Sequence, residues 1–539
     1  MNLPPKNRPP LEGKRFNVLV IGGGINGVAI ARECARGGRS VLLVEQNDFC
    51  SGTTSRSTRI IHGGLRYLEH GEIGLVRESL RERERLLRER PHLVRRKQFL
   101  IALGERSRRS ALEVRVGLWL YRRLGGTARS RGNHVSPGVS FERLLDSGHR
   151  WSIFDYEDAQ CEFPERLLAE WLLEGTAAGA VVRNHAQVLA VDVRNGRARG
   201  ALIRDLLSGK EERIEASWVI NASGPWVDRL CQRSSIRRSS PLIGGVRGSH
   251  IVLPVFAGAP EKPVLMEASD SRPFFLIPWN EQILVGTTEV PDRDDPTNTM
   301  PSSAEVDYLL TSMRNLFPTL AITTADIRYA FAGVRPLPFV GEKTPSAITR
   351  RHFLHEHSDD GAQNMISIVG GKLTTAAELA RQCARKIGIG VAESHVGVAI
   401  SRDGRATLDE FAAEIASAAG VSEDCADAIA EWYGSKSLEV ARLARTSPEM
   451  KAKLCPHTAH IVAEAMYALQ GEYACTLGDV LLRRVPVTLG PCWTEECSRS
   501  AAARIGTALG WTEAQVSAEL EQFESERKRF LIRPADALE

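Results

Sequence analysis

Three glycines, Gly22, Gly24 and Gly27, followed by an acid at Glu45, are the residues whose spacing speaks most directly of chemistry. In a GxGxxG turn the first permits the tight bend, the second lets backbone approach a pyrophosphate, and the third lets a helix lie close on the preceding strand. The helix N-terminus, where Asn26 sits, then turns its amides and positive dipole end towards the phosphates. A carboxylate at Glu45 lies where it can accept both hydroxyls of an adenosine ribose. Glycines also mark ordinary turns, so context decides. Here a buried strand (Val18 to Ile21) precedes them, an amphipathic helix runs to about Arg36, and a second apolar strand (Val41 to Val44) ends at the acid. That is a complete βαβ dinucleotide fingerprint.

The elements that position these residues belong to a chain of 539 residues, long enough for two to four domains with their own cores. Hydrophobic residues at 43% and charged residues at 25% are those of a water-soluble globular protein. No apolar run is long enough for a spanning helix, and the proline-rich start MNLPPKNRPPLEGKR reads as a disordered lead, so a cytoplasmic location is expected. Ten cysteines are scattered without a CxxC pair, and Cys492 with Cys497 does not match a zinc-ligand spacing. They read as reduced, mostly buried thiols, with no metal site. Charge is unevenly spread: Arg77 to Arg131 holds 17 Lys/Arg against 6 Asp/Glu, a surplus of eleven, whereas the whole chain is only +4. Such a window points to an anionic surface, membrane or nucleic acid.

Along the chain, Thr53, Thr54 and Ser57 lie in a small-residue loop leaving the second strand, where hydroxyls can bond a phosphate without crowding it. A helix over Glu72 to Arg90 places Ile73, Val76, Leu80 and Leu87 on one face. Between Pro91 and Arg131 basic clusters alternate with apolar ones. Leu112, Val116, Trp119 and Leu120 follow helical spacing with Arg108, Arg109, Arg115, Arg122 and Arg123 around them, the pattern of a helix lying in an anionic bilayer interface. The competing reading is an amphipathic helix packed on its own protein. Residues 151–230 return to the nucleotide-binding fold: a helix over Trp171 to Ala178, a meander, and a strand Trp218 to Asn221 ending in the small residues Ala222, Ser223 and Gly224. From about Pro241 to Pro338 proline- and glycine-punctuated strands predict an antiparallel sheet roofing the cofactor, with a helix over Ser303 to Phe317. The strand MISIV and a glycine pair, Gly370 and Gly371, open a further helix. After a break at Gly388 to Asp403 the remainder is alanine-rich and helical, with capping-box patterns at Thr407/Glu410 and Thr512/Gln515.

RSTRIIHGGLRYLEHGE, NASGPWVD, GSHIVLP, FLIPW, GTTE, FAGVRPL, TPSAITR and GGKLTTA, in this order across most of the chain, resemble the FAD-dependent, quinone-linked glycerol-3-phosphate dehydrogenases. The resemblance implies an α/β fold: a Rossmann-like FAD-binding domain of the glutathione-reductase/D-amino-acid-oxidase type, an antiparallel β substrate domain and a C-terminal α-helical domain. The corresponding division is 11–240 for the first part of the FAD domain (with a basic membrane-facing segment at about 91–131), 241–340 for the substrate domain, 341–395 for the return to the FAD domain and 396–539 for the helical domain. It implies FAD as cofactor, oxidation of sn-glycerol 3-phosphate to dihydroxyacetone phosphate, delivery of electrons to membrane quinone and peripheral attachment to the inner face of the cell membrane. A homodimer is compatible with it, and nucleic acid is not among the implied partners.

Oxidising a secondary alcohol by hydride transfer to a flavin needs a base for the hydroxyl proton and cations for the phosphate. The resemblance places Arg66, Tyr67, Arg335, Lys372 and Thr374 or Thr375 around the substrate. His62, in a loop expected to pass under the flavin ring, is the leading candidate for the proton, His250 the second, and Arg335 a group that could polarise the hydroxyl. Val188 near the adenine, Ala222 to Gly224, and Gly371, Lys372, Leu373 and Thr374 complete the expected cofactor contacts. Glu289 stands in GTTE where many relatives carry Asp. Three alternatives stay open: an oxidase passing electrons to oxygen, an RNA-binding flavoprotein using the basic window, and NAD in place of FAD.

Overall fold

The structure, a computed structural model, describes residues 8, 10–105, 107–125, 140–341, 348–390 and 406–533. The N-terminal lead before Arg8, the 395/396 boundary, most of the Gly388–Asp403 break, the Thr407 side chain and the Arg129–Arg131 end of the basic window lie outside the described residues.

The fingerprint forms as read. Arg15–Ile21 is a central strand, parallel to Val41–Val44 on one side and to Glu211–Asn221 on the other. Val181–Arg183 extends the sheet beyond Val41–Val44, and Met365–Val369 with antiparallel Phe353–Glu356 extends it beyond Glu211–Asn221. The hairpin Ala186–Arg194/Arg197–Asp205 hangs from the start of Glu211–Asn221. Helix Ile25–Arg36 packs against Pro164–Ala177 and Ala376–Lys386 over this sheet. That cover explains why Val41–Val44 is apolar at every position: a parallel strand here is buried on both faces.

A second, nine-stranded sheet is centred on Val246–Pro254, which pairs antiparallel with Gln282–Gly286 and Tyr329–Arg335. Pro273–Trp279 and Val264–Glu267 continue it, and the helix Ser303–Leu316 packs beside it. Two further strands correct the expectation from sequence. Val94–Gly104, read as part of a membrane-facing segment, and Trp151–Cys161, read as a return to the nucleotide-binding fold, pair along their whole length in this second sheet. Val264 and Leu265 join them through a parallel pairing, so the sheet is mixed rather than antiparallel throughout. The strand was hidden because Arg95 to Gln98 are polar at every position, whether half-buried or exposed, while Phe99 to Leu103 are buried on both faces, so no single period of polarity runs through it.

Helix Ile73–Glu89 forms where expected, but its buried face is Leu75, Val76, Leu80 and Leu86, and Ile73 is exposed. The charge surplus of the basic window is largely cancelled by acids elsewhere in the chain. Arg83 meets Asp158, Arg90 meets Glu170, Arg95 meets Glu431, Arg96 meets Glu157, and Arg109 meets both Glu69 and Glu267. Within that window, helix Ala111–Gly125 buries Val114, Leu118 and Tyr121 and leaves Leu112, Val116 and Trp119 exposed.

The remainder is helical from Ala406–Ala419 to Glu513–Phe530, the last helix opened by the Thr512/Gln515 capping box. Buried ion pairs dock it on the first domain. Asp48, fully buried, accepts from Arg483 Nε at 2.5 Å and from both Nη atoms of Arg484 at 2.8 Å, and Arg166 makes a two-pronged pair with Glu472. Removing one partner of such a pair strands the other's charge in a low dielectric. Asp48→Ala should therefore destabilise the holoenzyme by about 3–5 kcal/mol, measured as the shift of the urea midpoint; an unchanged midpoint would show that docking does not depend on this pair.

Candidate functional site

One cavity of about 880 Å³ lies between the two sheets, and nearly every residue singled out from sequence lines it. Its nucleotide end is built by absent side chains. Gly22 has φ +109°, and a Cβ there would stand 2.5 Å from the Ala222 carbonyl oxygen. Gly27 and Thr375 are the exceptions, neither lining the cavity; a Cβ on Gly27 would meet the Gly22 carbonyl at 1.8 Å, so that glycine serves only the close packing of helix on strand. Gly24, Val188, Ala222, Ser223 and Gly224 are all in the wall.

Both oxygens of Glu45 hold backbone: Oε2 accepts the Gly23 N–H at 2.6 Å and Oε1 the Asn47 N–H at 2.9 Å. Burial nevertheless pushes this carboxyl above its ordinary value. Thr54 Oγ1 accepts the Ile25 N–H at the helix start, which leaves its own proton to donate into the cavity. Thr53 instead spends its proton on the Val334 carbonyl at 2.8 Å, tying the loop to the second sheet. Ser57 Oγ accepts the Arg59 N–H at 3.3 Å. Asn26 donates to the Gly370 carbonyl at 3.3 Å, and its Oδ1 is buried without a protein partner. Gly371, with φ +102°, leaves room for that amide, since a Cβ would lie 2.3 Å from Asn26 Nδ2.

At the other end of the cavity cations converge. Arg335, ending the strand Tyr329–Arg335, donates to Thr287 Oγ1 at 2.8 Å and reaches the Thr288 carbonyl. Gly248 on the neighbouring strand makes room for it, a Cβ there falling 2.3 Å from its Nη2. Burial first, then the charge of Arg350, pulls Arg335 down to about 10. Lys372 donates to Ser79 Oγ at 2.8 Å, lies 4.6 Å from the centre of the Tyr67 ring, and is brought down by burial to about 7. Arg350 and Arg66 face Glu289 at 2.8 Å and 3.7 Å. Burial raises the Tyr67 phenol against the pull of Arg350, Arg66 and Arg335, so all three arginines surround one ring.

Two neutral imidazoles complete the wall. The backbone N–H of His62 donates to Thr374 Oγ1 at 3.2 Å, and burial, then Lys372 and Arg83, hold its ring down at about 3. His250 stacks on Phe331 with 5.0 Å between ring centres and has Nε2 3.0 Å from Thr58 Oγ1. Its Nδ1 is buried without a partner, and burial, then Arg335 and Arg59, lowers it to about 3. The His62 loop is pinned from behind. The Gly63 N–H donates to the Tyr121 hydroxyl at 2.8 Å, Tyr121 donates to Asp158 at 2.8 Å, and Arg83 donates to the same carboxylate at 2.7 Å. Gly64 has φ +80°, and a Cβ on it would sit 2.0 Å from the Tyr67 ring.

The sequence reading missed Arg350, Thr287, Thr58 and Arg56 as wall residues and took Glu289 only as a motif variant. Arg350 and Thr287 lay inside recognisable motifs, TPSAITR and GTTE, and membership was the available signal. Arg56 and Thr58 likewise open the motif RSTRIIHGGLRYLEHGE.

Residues 17–377 match the family model described as FAD dependent oxidoreductase, and residues 365–516 that of the C-terminal domain of alpha-glycerophosphate oxidase. The glycerol-3-phosphate dehydrogenase of Synechocystis sp. is 34% identical over 96% of this chain and 97% of its own. The aerobic glycerol-3-phosphate dehydrogenase of Staphylococcus aureus is 29% identical over 88% of this chain and 87% of its own. Among solved structures, the FAD complex of the Bacillus halodurans glycerol-3-phosphate dehydrogenase superposes with a TM-score of 0.75 at 24% identity, covering 96% of both chains.

The cavity fits that cofactor on its own terms. A dinucleotide's phosphates call for the helix N-terminus beside Gly24 and Asn26, its ribose for Glu45, and the orphaned Asn26 Oδ1 for a donor that the protein does not provide. Cofactor-shaped absences lie at one end of the cavity and paired cations at the other, and the chain belongs to the FAD-dependent glycerol-3-phosphate dehydrogenases of the FAD-dependent oxidoreductase family.

Proposed function

We propose that this enzyme oxidises sn-glycerol 3-phosphate to dihydroxyacetone phosphate and passes the electrons to a membrane quinone while docked on the bilayer through helix Ala111–Gly125. The observation that carries the substrate is the gathering of Arg66, Arg335, Arg350 and Lys372 around one end of a cavity whose other end is a dinucleotide cradle. FAD, when bound, supplies the acceptor for the hydride leaving C2.

The chain's own residues do the rest. Arg335 is fixed by Thr287 and the Thr288 carbonyl, so its planar fork meets phosphate oxygens without first being ordered. Glu289 restrains Arg66 and Arg350 and offsets part of their mutual repulsion. His62 stays neutral in the empty cup and so can take the hydroxyl proton. Burial is the first cause of its low value and the Lys372 charge the second, so an arriving phosphate dianion, by offsetting that charge, raises the ring's basicity when substrate is present. His250 is the other neutral ring in the cavity.

Support for the membrane acceptor comes from one face of one helix. Leu112, Val116 and Trp119 form an exposed apolar stripe, with Arg115 and Arg123 exposed alongside. The cavity wall includes Val114 and Gly117 of the same helix and the neighbouring apolar residues Leu65, Ile101, Leu265 and Phe275, an oily approach suited to a lipid-soluble acceptor. Among the described residues no helix is long and apolar enough to cross a membrane.

Anaerobic mixing with glycerol 3-phosphate should bleach the flavin, whereas glycerol should do so far more slowly. Arg335→Ala should lower kcat/KM roughly 10- to 100-fold, as expected for one lost charge-assisted contact; equal rates with glycerol and its phosphate would refute the cationic cup. With Lys372 near 7 in the free enzyme, its cationic, phosphate-binding form prevails below that pH, so kcat/KM should fall by up to about tenfold per pH unit above it. Lys372→Arg should remove this limb, and its persistence would exclude Lys372 as the titrating group. Trp119→Ala should weaken binding to anionic, quinone-loaded liposomes about tenfold or more, from roughly 2 kcal/mol of lost apolar burial, and leave anaerobic flavin reduction unchanged. Undiminished liposome binding, or turnover that yields peroxide as fast with oxygen as with quinone, would favour a soluble oxidase instead.

A further inference from the structure

The helical domain gathers four metal-ligating side chains that the linear spacing kept apart. Cys455 and His457 sit in a knuckle closed by the bridge between Lys453 and Ile461 and by the Leu454 N–H donated to the His460 carbonyl. Cys492 lies in the turn before helix Glu495–Leu509, and Cys497 in that helix's first turn, where its N–H donates to the Thr494 hydroxyl. The ligand atoms of Cys455, His457 and Cys497 all lie within 4.8 Å of one another, with Cys497 Sγ 3.9 Å from His457 Nδ1. Cys492 stands beside the group, its carbonyl accepting from Cys497 Sγ at 3.4 Å.

These separations leave room for one ion between the three side chains. Zinc–sulfur and zinc–nitrogen bonds of about 2.3 and 2.0 Å give edges of roughly 3.5–3.8 Å between ligand atoms. We infer that Cys455, His457 and Cys497 hold a structural zinc ion, with Cys492 the adjacent thiol that turns in to close the fourth position. Thiolates and an imidazole select a borderline-soft ion over magnesium or calcium. Four protein atoms around the ion leave no position for substrate, the signature of a structural rather than a catalytic centre. None of the four lines the flavin cavity.

An ion would displace the thiol protons to solvent on binding. It would clasp the two ends of the stretch 455–497, which contains Arg483 and Arg484, the partners of buried Asp48. Bound zinc would thus stiffen the segment by which the helical domain grips the nucleotide-binding one.

The test uses purified FAD-loaded full-length protein exposed to zinc sulfate and then dialysed. About one tightly held zinc per chain is expected by elemental analysis, and cobalt substitution should give tetrahedral thiolate bands beyond the flavin absorption. The double variant Cys455→Ser/Cys497→Ser should hold no zinc. If it does not fold, His457→Ala, an exposed position, should keep its flavin and its glycerol-3-phosphate-dependent bleaching yet release zinc to a chelator at least about tenfold faster. Zinc content no higher than that of the double variant overturns the proposal. So does unchanged release from His457→Ala, or fewer than ten titratable thiols in denaturant, which would signal a disulfide.

Discussion

Crowding cations at one buried end of a cavity is the constraint on which this structure depends. Arg66, Arg335, Arg350 and Lys372 share that end, with Glu289 against Arg66 and Arg350 and the charges of Glu72 and Glu78 acting on Lys372. Burial, with the charge of Arg350 adding to it, holds Arg335 and Lys372 below their ordinary values. Such an arrangement repels itself in a low dielectric and persists only because the surrounding sheet is rigid. An anionic substrate relieves it. On the proposed reading, preference for a phosphorylated over a bare alcohol follows from these cations, while burial first and the cations second hold both imidazoles below their ordinary values.

Rigidity comes from the way strands and glycines are placed. Arg335 leaves the end of a strand that lies next to Gly248, and His62 rides on a loop whose glycines let Tyr121 and Tyr67 press against it from opposite sides. The buried Arg83–Asp158–Tyr121 network, remote from solvent, fixes that loop through one backbone amide. Flexible lysines on a surface could not hold such an array against its own repulsion.

How much of this was legible follows from how local each feature is. The nucleotide cradle could be read because strand, turn, helix and acid lie within Arg15 to Glu45 and each glycine answers to a nearby steric demand. The cup residues could be found only through separate motifs, since nothing in a lone arginine says whether Glu289 or solvent will face it. Val94–Gly104 escaped because its partner strand begins only after Arg150, and period-two patterning fails when the two halves of a strand have different surroundings. The basic window misled for a related reason: counting charges along the chain omits acids such as Asp158, Glu170, Glu267 and Glu431 that fold back onto it. The thiols of Cys455 and Cys497 were judged by spacing, when what matters is that two loops far apart in sequence meet.

Ile532, close to the last described residue, exchanges backbone hydrogen bonds with Ala330, and Phe530 lies under the guanidinium of Arg56 in the cavity wall. During synthesis the central sheet of the substrate region must therefore wait, with one flank uncovered, until the ribosome has made the helical region as far as Ile532. Until then the half-built flavin chamber exposes apolar strands. A truncation that spares every catalytic group would still leave the cell with a sticky, incompletely roofed intermediate, which makes the tail of the helical region a determinant of whether the enzyme matures or aggregates.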